Sequence, residues 1–289
     1  MKKLLYKIGF AICVIAFMVI CCLMAYQYKV RSSADKKIEA MQENAQADYP
    51  DTESEIKEAT AAPTSTSEPT PTQITETPLP PSPTEAVDIL TARGITIPEK
   101  NIDWDQLRSE NEDIYAWIYI PGTNVDYPIV QHPDIKSYYL THNYDHSEGY
   151  PGCIYVQNVN KKDWSDPNTV IYGHNMNNGS MFNTLHYFED AVFFDEHQFI
   201  YIYTPEANKV YEIFASYPFS DDDLMVCFDY STPDALLGYF NSIWTNRSMT
   251  SHFRESVVLD ENSRIISLST CIGGEPEMRY LVQAVLVNP

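Results

Sequence analysis

The sequence predicts a mainly β domain, built as a sandwich or a barrel, filling the last two thirds of a 289-residue chain. Three observations lead there. Short runs rich in Val, Ile, Tyr and Phe recur at 127–130, 153–156, 169–172, 199–203, 210–217, 265–270 and 280–287, separated by Gly, Pro, Asn and Asp. That is the pattern of strands joined by turns. Helical periodicity is confined to a stretch near 103–118, where Leu107, Ile114, Trp117 and Ile118 share a face, and to two interruptions near 182–187 and 233–244. The first 87 residues lack the composition of a globular domain.

From the N-terminus, residues 9–26 carry no charge, and Leu4 to Tyr6 extend the apolar run beyond Lys7. This is long enough for a helix to cross a bilayer. A cleaved signal peptide is the competing reading, but the run is long for one and no clear small-x-small site follows it. Lysines and arginines flank both sides, so charge leaves the orientation open. Residues 32–59 are polar, with Ile38, Met41 and Ile56 as the only large aliphatics, and offer a helix little apolar face. A Thr/Ser/Pro tract over 60–85 favours extended, solvated chain. The expected division is therefore a membrane anchor with flanks over 1–31, a disordered spacer over 32–87 and a folded domain over 88–289.

Composition narrows the function. A formal net charge of −21 argues against a nucleic-acid-binding surface. Cys13, Cys21 and Cys22 lie in the apolar span, leaving Cys153, Cys227 and Cys271 in the domain, an odd number that leaves a thiol without an intramolecular partner there. Cys153, in Gly-Cys-Ile-Tyr-Val, reads as a small core residue. His142 and His146 are four apart, but Gly149 and Pro151 suggest a loop, and Asp221–Asp223 reads as a solvated acidic loop. Neither a metal nor a cofactor is assigned.

Cys271 ends a strand-like run, Arg264-Ile-Ile-Ser-Leu-Ser-Thr-Cys271, in which Ile265, Ser267 and Ser269 alternate with Ile266, Leu268 and Thr270. Gly273, Gly274 and Pro276 then reverse the chain, and a second run opens with Arg279. Reactive thiolates need positive charge nearby, and an oxyanion needs donors. Arg279 can supply both, or it can simply pair with an acid. His174, where the run 169–172 ends in Gly and Asn, is the candidate imidazole partner, with a histidine bonded to backbone as the alternative.

Tyr-Gly-His174-Asn-Met, the following Gly-Ser-Met-Phe182, Leu-Ser-Thr-Cys271 and Arg279 together resemble the sortases, class B most closely. The likeness continues through residues 111–118, 125–131 and 139–140 and covers roughly 100–289. It implies a closed, largely antiparallel β-barrel with an N-terminal helix and helical insertions. It also implies a membrane-anchored cysteine transpeptidase with its catalytic domain outside the cell, using Cys271, His174 and Arg279. The implied partners are secreted proteins bearing a C-terminal sorting signal and, as acceptor, a cell-wall peptide or pilin amine. Ser269, Thr270 and the loop 219–227 are the implied substrate groove. The chain departs from the class in two places: Ile272 and Gly273 follow the cysteine where many members have an acid, and Lys136 stands where an asparagine often lines the groove. It also lacks the Asp-Pro-aromatic lid of pilin-polymerising enzymes, which favours wall anchoring over pilin polymerisation. A thiol hydrolase of surface peptides and a non-catalytic tethered binding module are the remaining alternatives.

Overall fold

The computed structural model describes residues 2–45 and 89–288. Helix α1 spans Lys2–Ala45 in one piece. Its apolar stretch is long enough to cross a membrane and stands exposed, with Ile12, Phe17 and Leu23 more than half accessible. The helix then continues past residue 31, and Ala34, Ile38, Met41 and Ala45 are buried. These positions repeat at helical spacing along one face. Gln42 Nε2 donates to the carbonyl of Asp126 at 2.7 Å, and Lys37 pairs with Glu110 at 3.4 Å. Counting only large aliphatics underrated this face, because the two alanines complete the stripe and let the helix approach the barrel. The Thr/Ser/Pro tract lies outside the described residues.

The helix expected over 103–118 is shorter. α2 spans Trp104–Glu110, capped by Asp103, whose carboxylate accepts from Gln106 N at 2.9 Å. Asn111 then turns extended, and strand β1 follows at Ile114–Tyr119. Ile114, Trp117 and Ile118 are thus strand residues. β1 is a central strand covered on both faces, so it shows no alternation, and its apolar run mimics a helical stripe.

The remaining strands are β2 (Asp126–Val130), β3 (Ile154–Val156), β4 (Asn168–Tyr172), β5 (Phe199–Tyr203), β6 (Asn208–Ser220), β7 (His252–Phe253), β8 (Ile265–Ile272) and β9 (Glu275–Leu286). In space they run β5-β1-β2-β3-β4-β8-β9-β6, and β6 pairs back onto β5, so the sheet closes. β2–β3 and β4–β8 are parallel; every other pairing is antiparallel. The closed, largely antiparallel barrel is as expected. β7 adds to the far half of β6, past a register shift between Ile213 and Ala215.

Short helices decorate the barrel. The segment expected to be helical near 182–187 is a 3₁₀ helix, Asn183–Glu189, followed by α3 (Ala191–Glu196). α4 (Leu224–Cys227) follows β6. α5 (Pro233–Ile243) begins with Pro233 at its first turn, and Thr232 accepts from Ala235 N. Its buried Leu236, Tyr239, Phe240 and Ile243 cover the outer face of the sheet together with Val170, Phe214, Ile265 and Leu281.

The period-2 pattern of β8 divides these layers: Ile266 and Leu268 belong to the barrel interior, Ile265 to the layer under α5. On the α5 side lies a buried polar network. Ser267 Oγ donates to Asn168 Oδ1 at 2.8 Å. Gln283 Nε2 donates to Ser267 Oγ and Tyr239 OH at 2.7 and 2.8 Å, and Tyr217 OH donates to Gln283 Oε1 at 2.8 Å. Asn168, Ser267 and Gln283 are each 0% exposed, so any lost partner leaves a polar group dry. Gln283→Leu is expected to cost about 1–3 kcal/mol by stranding Tyr217, Tyr239 and Ser267; a thermal unfolding midpoint within a degree of the unsubstituted protein would contradict this.

Candidate active site

Strand register assembles the site. In the parallel β4–β8 pair, Tyr172 lies opposite Ser269, and Gly173 N donates to Ser269 O at 3.2 Å. Two residues further along each strand come His174 and Cys271, so the ladder delivers them to neighbouring positions. The β8–β9 hairpin turns at Gly273 and Gly274, the latter at φ +83°, a backbone region that suits glycine. It returns Arg279 directly opposite Cys271. The three residues singled out in the sequence therefore lie side by side on, or just beyond, three adjacent strands.

They line one cleft of about 190 Å³, with Tyr155, Tyr172, Ser269, Thr270 and the residues Phe219 to Leu224, which run from the end of β6 to the start of α4. Cys271 is exposed and free. His174 is held by its backbone, where Phe182 N donates to His174 O at 2.9 Å, and by its ring, where Nε2 lies 2.7 Å from Leu140 O. A carbonyl only accepts, so Nε2 carries the hydrogen in this contact and Nδ1 remains for other work. Tyr150 packs on the ring at 5.0 Å between centroids. Arg279 Nη1 donates to the Pro276 and Met278 carbonyls, and Nη2 lies 3.8 Å from Asp221. Both plainer readings of the sequence thus find a partial counterpart: His174 does bond to backbone, through one nitrogen, and Arg279 does approach an acid.

Of the groove residues, Ser269 shares the Cys271 face of β8, whereas Thr270 takes the interior register and its Oγ1 is buried without a hydrogen-bond partner among the described residues. Lys136 reaches the Asp221–Asp223 loop and pairs with Asp223 at 2.5 Å. Tyr155, pushed up to about 12 by burial, and Tyr172, raised further by burial, stay neutral in ordinary buffers. The acids Asp221, Asp222 and Asp223 and the guanidinium of Arg279 line the cleft, and Lys136 reaches it through Asp223.

The other thiols are set apart. Cys153 is buried, its Sγ donating to His142 O, and burial pushes its thiol well up. Cys227 is exposed on α4, and neither is in a disulfide. A larger groove of about 720 Å³, between Arg93, Glu212, Asp260 and Arg264, contains no cysteine or histidine.

Sequence reasoning passed over three residues behind Cys271. Asn175 Nδ2 donates to Cys271 O at 2.9 Å, His186 Nε2 lies 3.0 Å from the same oxygen, and His186 Nδ1 lies 2.5 Å from Glu189 Oε1. Asn175 adjoins His174 in the motif itself, and that adjacency was the available signal.

The sortase-domain family model matches residues 118–287. Sortase B of Listeria monocytogenes is 33% identical over 165 residues, covering 57% of this chain and 65% of that protein, just under two thirds of its length. The crystal structure of sortase B from Clostridium perfringens aligns at 30% identity with a TM-score of 0.57, covering 63% of this chain and 98% of that one. A class B sortase of Streptococcus pyogenes involved in pilus biogenesis aligns at 26% identity with a TM-score of 0.54, covering 64% and 98%.

Packing around His174 makes a specific prediction. A Cβ on Gly173 would meet Ile154 Cδ1 at 2.5 Å and the Phe182 ring at 2.7 Å. Gly173→Ala is expected to lower stability by about 1–3 kcal/mol and, by displacing Phe182, to loosen the hydrogen bond that holds His174. Unchanged thermal unfolding, with unchanged chemical shifts for the His174 ring, would contradict it.

Proposed function

The chain belongs to the sortase family, in its class B branch, and from that premise we propose that it is a membrane-anchored cysteine transpeptidase. The observation that carries the reading is the convergence of Cys271, His174 and Arg279 on one cleft through the register of β4, β8 and β9.

The chemistry runs in two halves. The Cys271 thiolate attacks the carbonyl carbon of the scissile peptide bond, forming a C–S bond and a tetrahedral oxyanion. Arg279 donates N–H groups to that oxyanion; its Nη1 is already engaged by carbonyls, so Nε and Nη2 are the donors for this role. His174, protonated, gives its proton to the departing amine as the C–N bond breaks, leaving a thioester on Cys271. An incoming amine attacks the thioester, surrenders a proton to His174 and expels the thiolate. Amine rather than water as second nucleophile makes the enzyme a ligase of chains rather than a hydrolase.

The substrate proposed is the C-terminal sorting signal of a secreted protein, seated between Ser269 and the segment Phe219 to Leu224. The acceptor proposed is a cell-wall peptide amine. α1 would anchor the chain in the membrane with residues 89–288 outside the cell, and its exposed apolar stretch supports that placement. The departures at Ile272 and Lys136 bear on which signal is preferred, since Lys136 is committed to Asp223 at the groove.

Three variants test the assignment. Cys271→Ala should abolish cleavage of a cognate peptide with circular dichroism unchanged; retained turnover would remove Cys271 as nucleophile. His174→Ala should cut turnover by about 10²–10⁴ and also slow alkylation of Cys271, since it removes both the proton donor and the thiolate's partner. Arg279→Lys keeps charge but loses the planar fork, and should cut turnover by about 10² while alkylation changes little. Product analysis with and without an added amine separates joining from hydrolysis.

A further inference from the structure

Parallel pairing leaves a specific gap at the nucleophile. Carbonyls two residues apart on β8 point toward the same neighbour. Ser269 O takes its hydrogen bond from Gly173 N, but beyond Gly173 strand β4 has ended and the chain turns away to present His174. No β4 amide is left for Cys271 O. On the other side, the β8–β9 register shifts between Cys271 and Ile272. The backbone carbonyl of the nucleophile is therefore held by side chains.

Two side chains take that place. Asn175 Nδ2 donates to Cys271 O at 2.9 Å and lies 3.0 Å from His186 Nε2, which is itself 3.0 Å from Cys271 O. Asn175 is fixed in turn: its Oδ1 accepts from Asn183 Nδ2 at 2.6 Å. At the other ring nitrogen, Glu189 Oε1 lies 2.5 Å from His186 Nδ1, and a carboxylate can only accept, so Nδ1 carries a hydrogen. Neutral His186 can then accept at Nε2 from Asn175, leaving Asn175 alone on the Cys271 carbonyl. Protonated His186 donates from Nε2 to that carbonyl and brings a positive charge to the peptide of the nucleophile. The titratable groups facing the ring are Glu189 on its own 3₁₀ helix and Tyr280 on β9, whose ring centroid lies 5.2 Å away; from β8 the contact is the Cys271 carbonyl.

We propose that His186, oriented by Glu189 and acting with Asn175, is a positioning residue that holds the Cys271 carbonyl and so sets the aim and the reactivity of the thiolate. The proposal rests on the reading of Cys271 as nucleophile. His186 touches no reacting atom; its influence passes through the Cys271 peptide. Because Asn175 adjoins His174, the same clamp ties the imidazole segment to the nucleophile strand.

The experiment compares the full chain in detergent with its His186→Leu, His186→Gln and Glu189→Gln variants. It reads iodoacetamide alkylation of Cys271 against pH by mass spectrometry, peptide turnover, and the unfolding midpoint. His186→Leu should lower kcat by about 10-fold with KM changed less than about 2-fold, and should move the Cys271 alkylation profile to higher pH. His186→Gln retains an N–H donor and should recover most of kcat, but without the pH dependence that an imidazole supplies. Glu189→Gln removes the carboxylate that orients the ring through Nδ1, so it should lower kcat in the same sense as His186→Leu, with KM changed less than about 2-fold. An alkylation profile and kcat unmoved in His186→Leu would overturn the proposal. So would equal losses in the Leu and Gln variants that track the unfolding midpoint, since that is the signature of a merely structural role. If His186→Leu fails to fold, the Gln and Glu189 variants decide by the same readouts. Alkylation that follows the prediction in a chain that joins no peptide to any amine would leave the positioning role standing and defeat the transpeptidase reading instead.

Discussion

The parallel pairing of β4 with β8 is the constraint on which the rest of the molecule depends. A side-chain period of two means that a slip of one residue would turn Cys271 into the barrel and Thr270 out into the cleft. Nothing in a parallel ladder forbids such a slip locally, because its hydrogen bonds are evenly spaced. The register is fixed by what lies on each face. Ile266 and Leu268 fit the apolar interior, and Ser267 finds buried polar partners in Asn168 and Gln283. A buried, fully paired polar network under α5 thus acts as a registration mark for the strand that carries Cys271.

The same layers explain why identical side chains behave differently. Cys153 directly precedes β3 and Cys271 lies in the last turn-ward residues of β8, but Cys153 is enclosed by the barrel, where burial disfavours the thiolate. Cys271 stands where β4 has turned aside, open to solvent and opposite an arginine. Accessibility here follows from where a strand ends. Ending it has a consequence for the backbone too, since a carbonyl loses its neighbour and must be served by side chains.

Much of this was legible in the sequence, and the failures have physical causes. β8 could be read from the alternation of its two unlike faces, and β9 from the Gly-Gly reversal that precedes it. α5 could be read from its apolar stripe and its proline start. β1 was misread because both its faces are buried, which removes the alternation that identifies a strand. The docking face of α1 was missed because two of its four buried positions are alanines, valued for closeness rather than bulk. Cys271, His174 and Arg279 were recognisable from their motifs. His186 and Glu189 were not, because the contact spans 85 residues and is made to a backbone oxygen, which leaves no mark on composition or spacing.

α1 has a mechanical consequence. A single helix runs from the exposed apolar stretch into the face formed by Ala34, Ile38, Met41 and Ala45, and on the way Val30 passes beside Gly149, next to the tyrosine that packs on His174. With the proposed span in a bilayer, helical rise sets the standoff: from Tyr26 to Val30 is about 6 Å at roughly 1.5 Å per residue. The catalytic body would then ride on a stiff post rather than a leash, with the His174 side of its cleft turned toward the lipid surface. The length of chain between Ala45 and the barrel would have no part in setting that height.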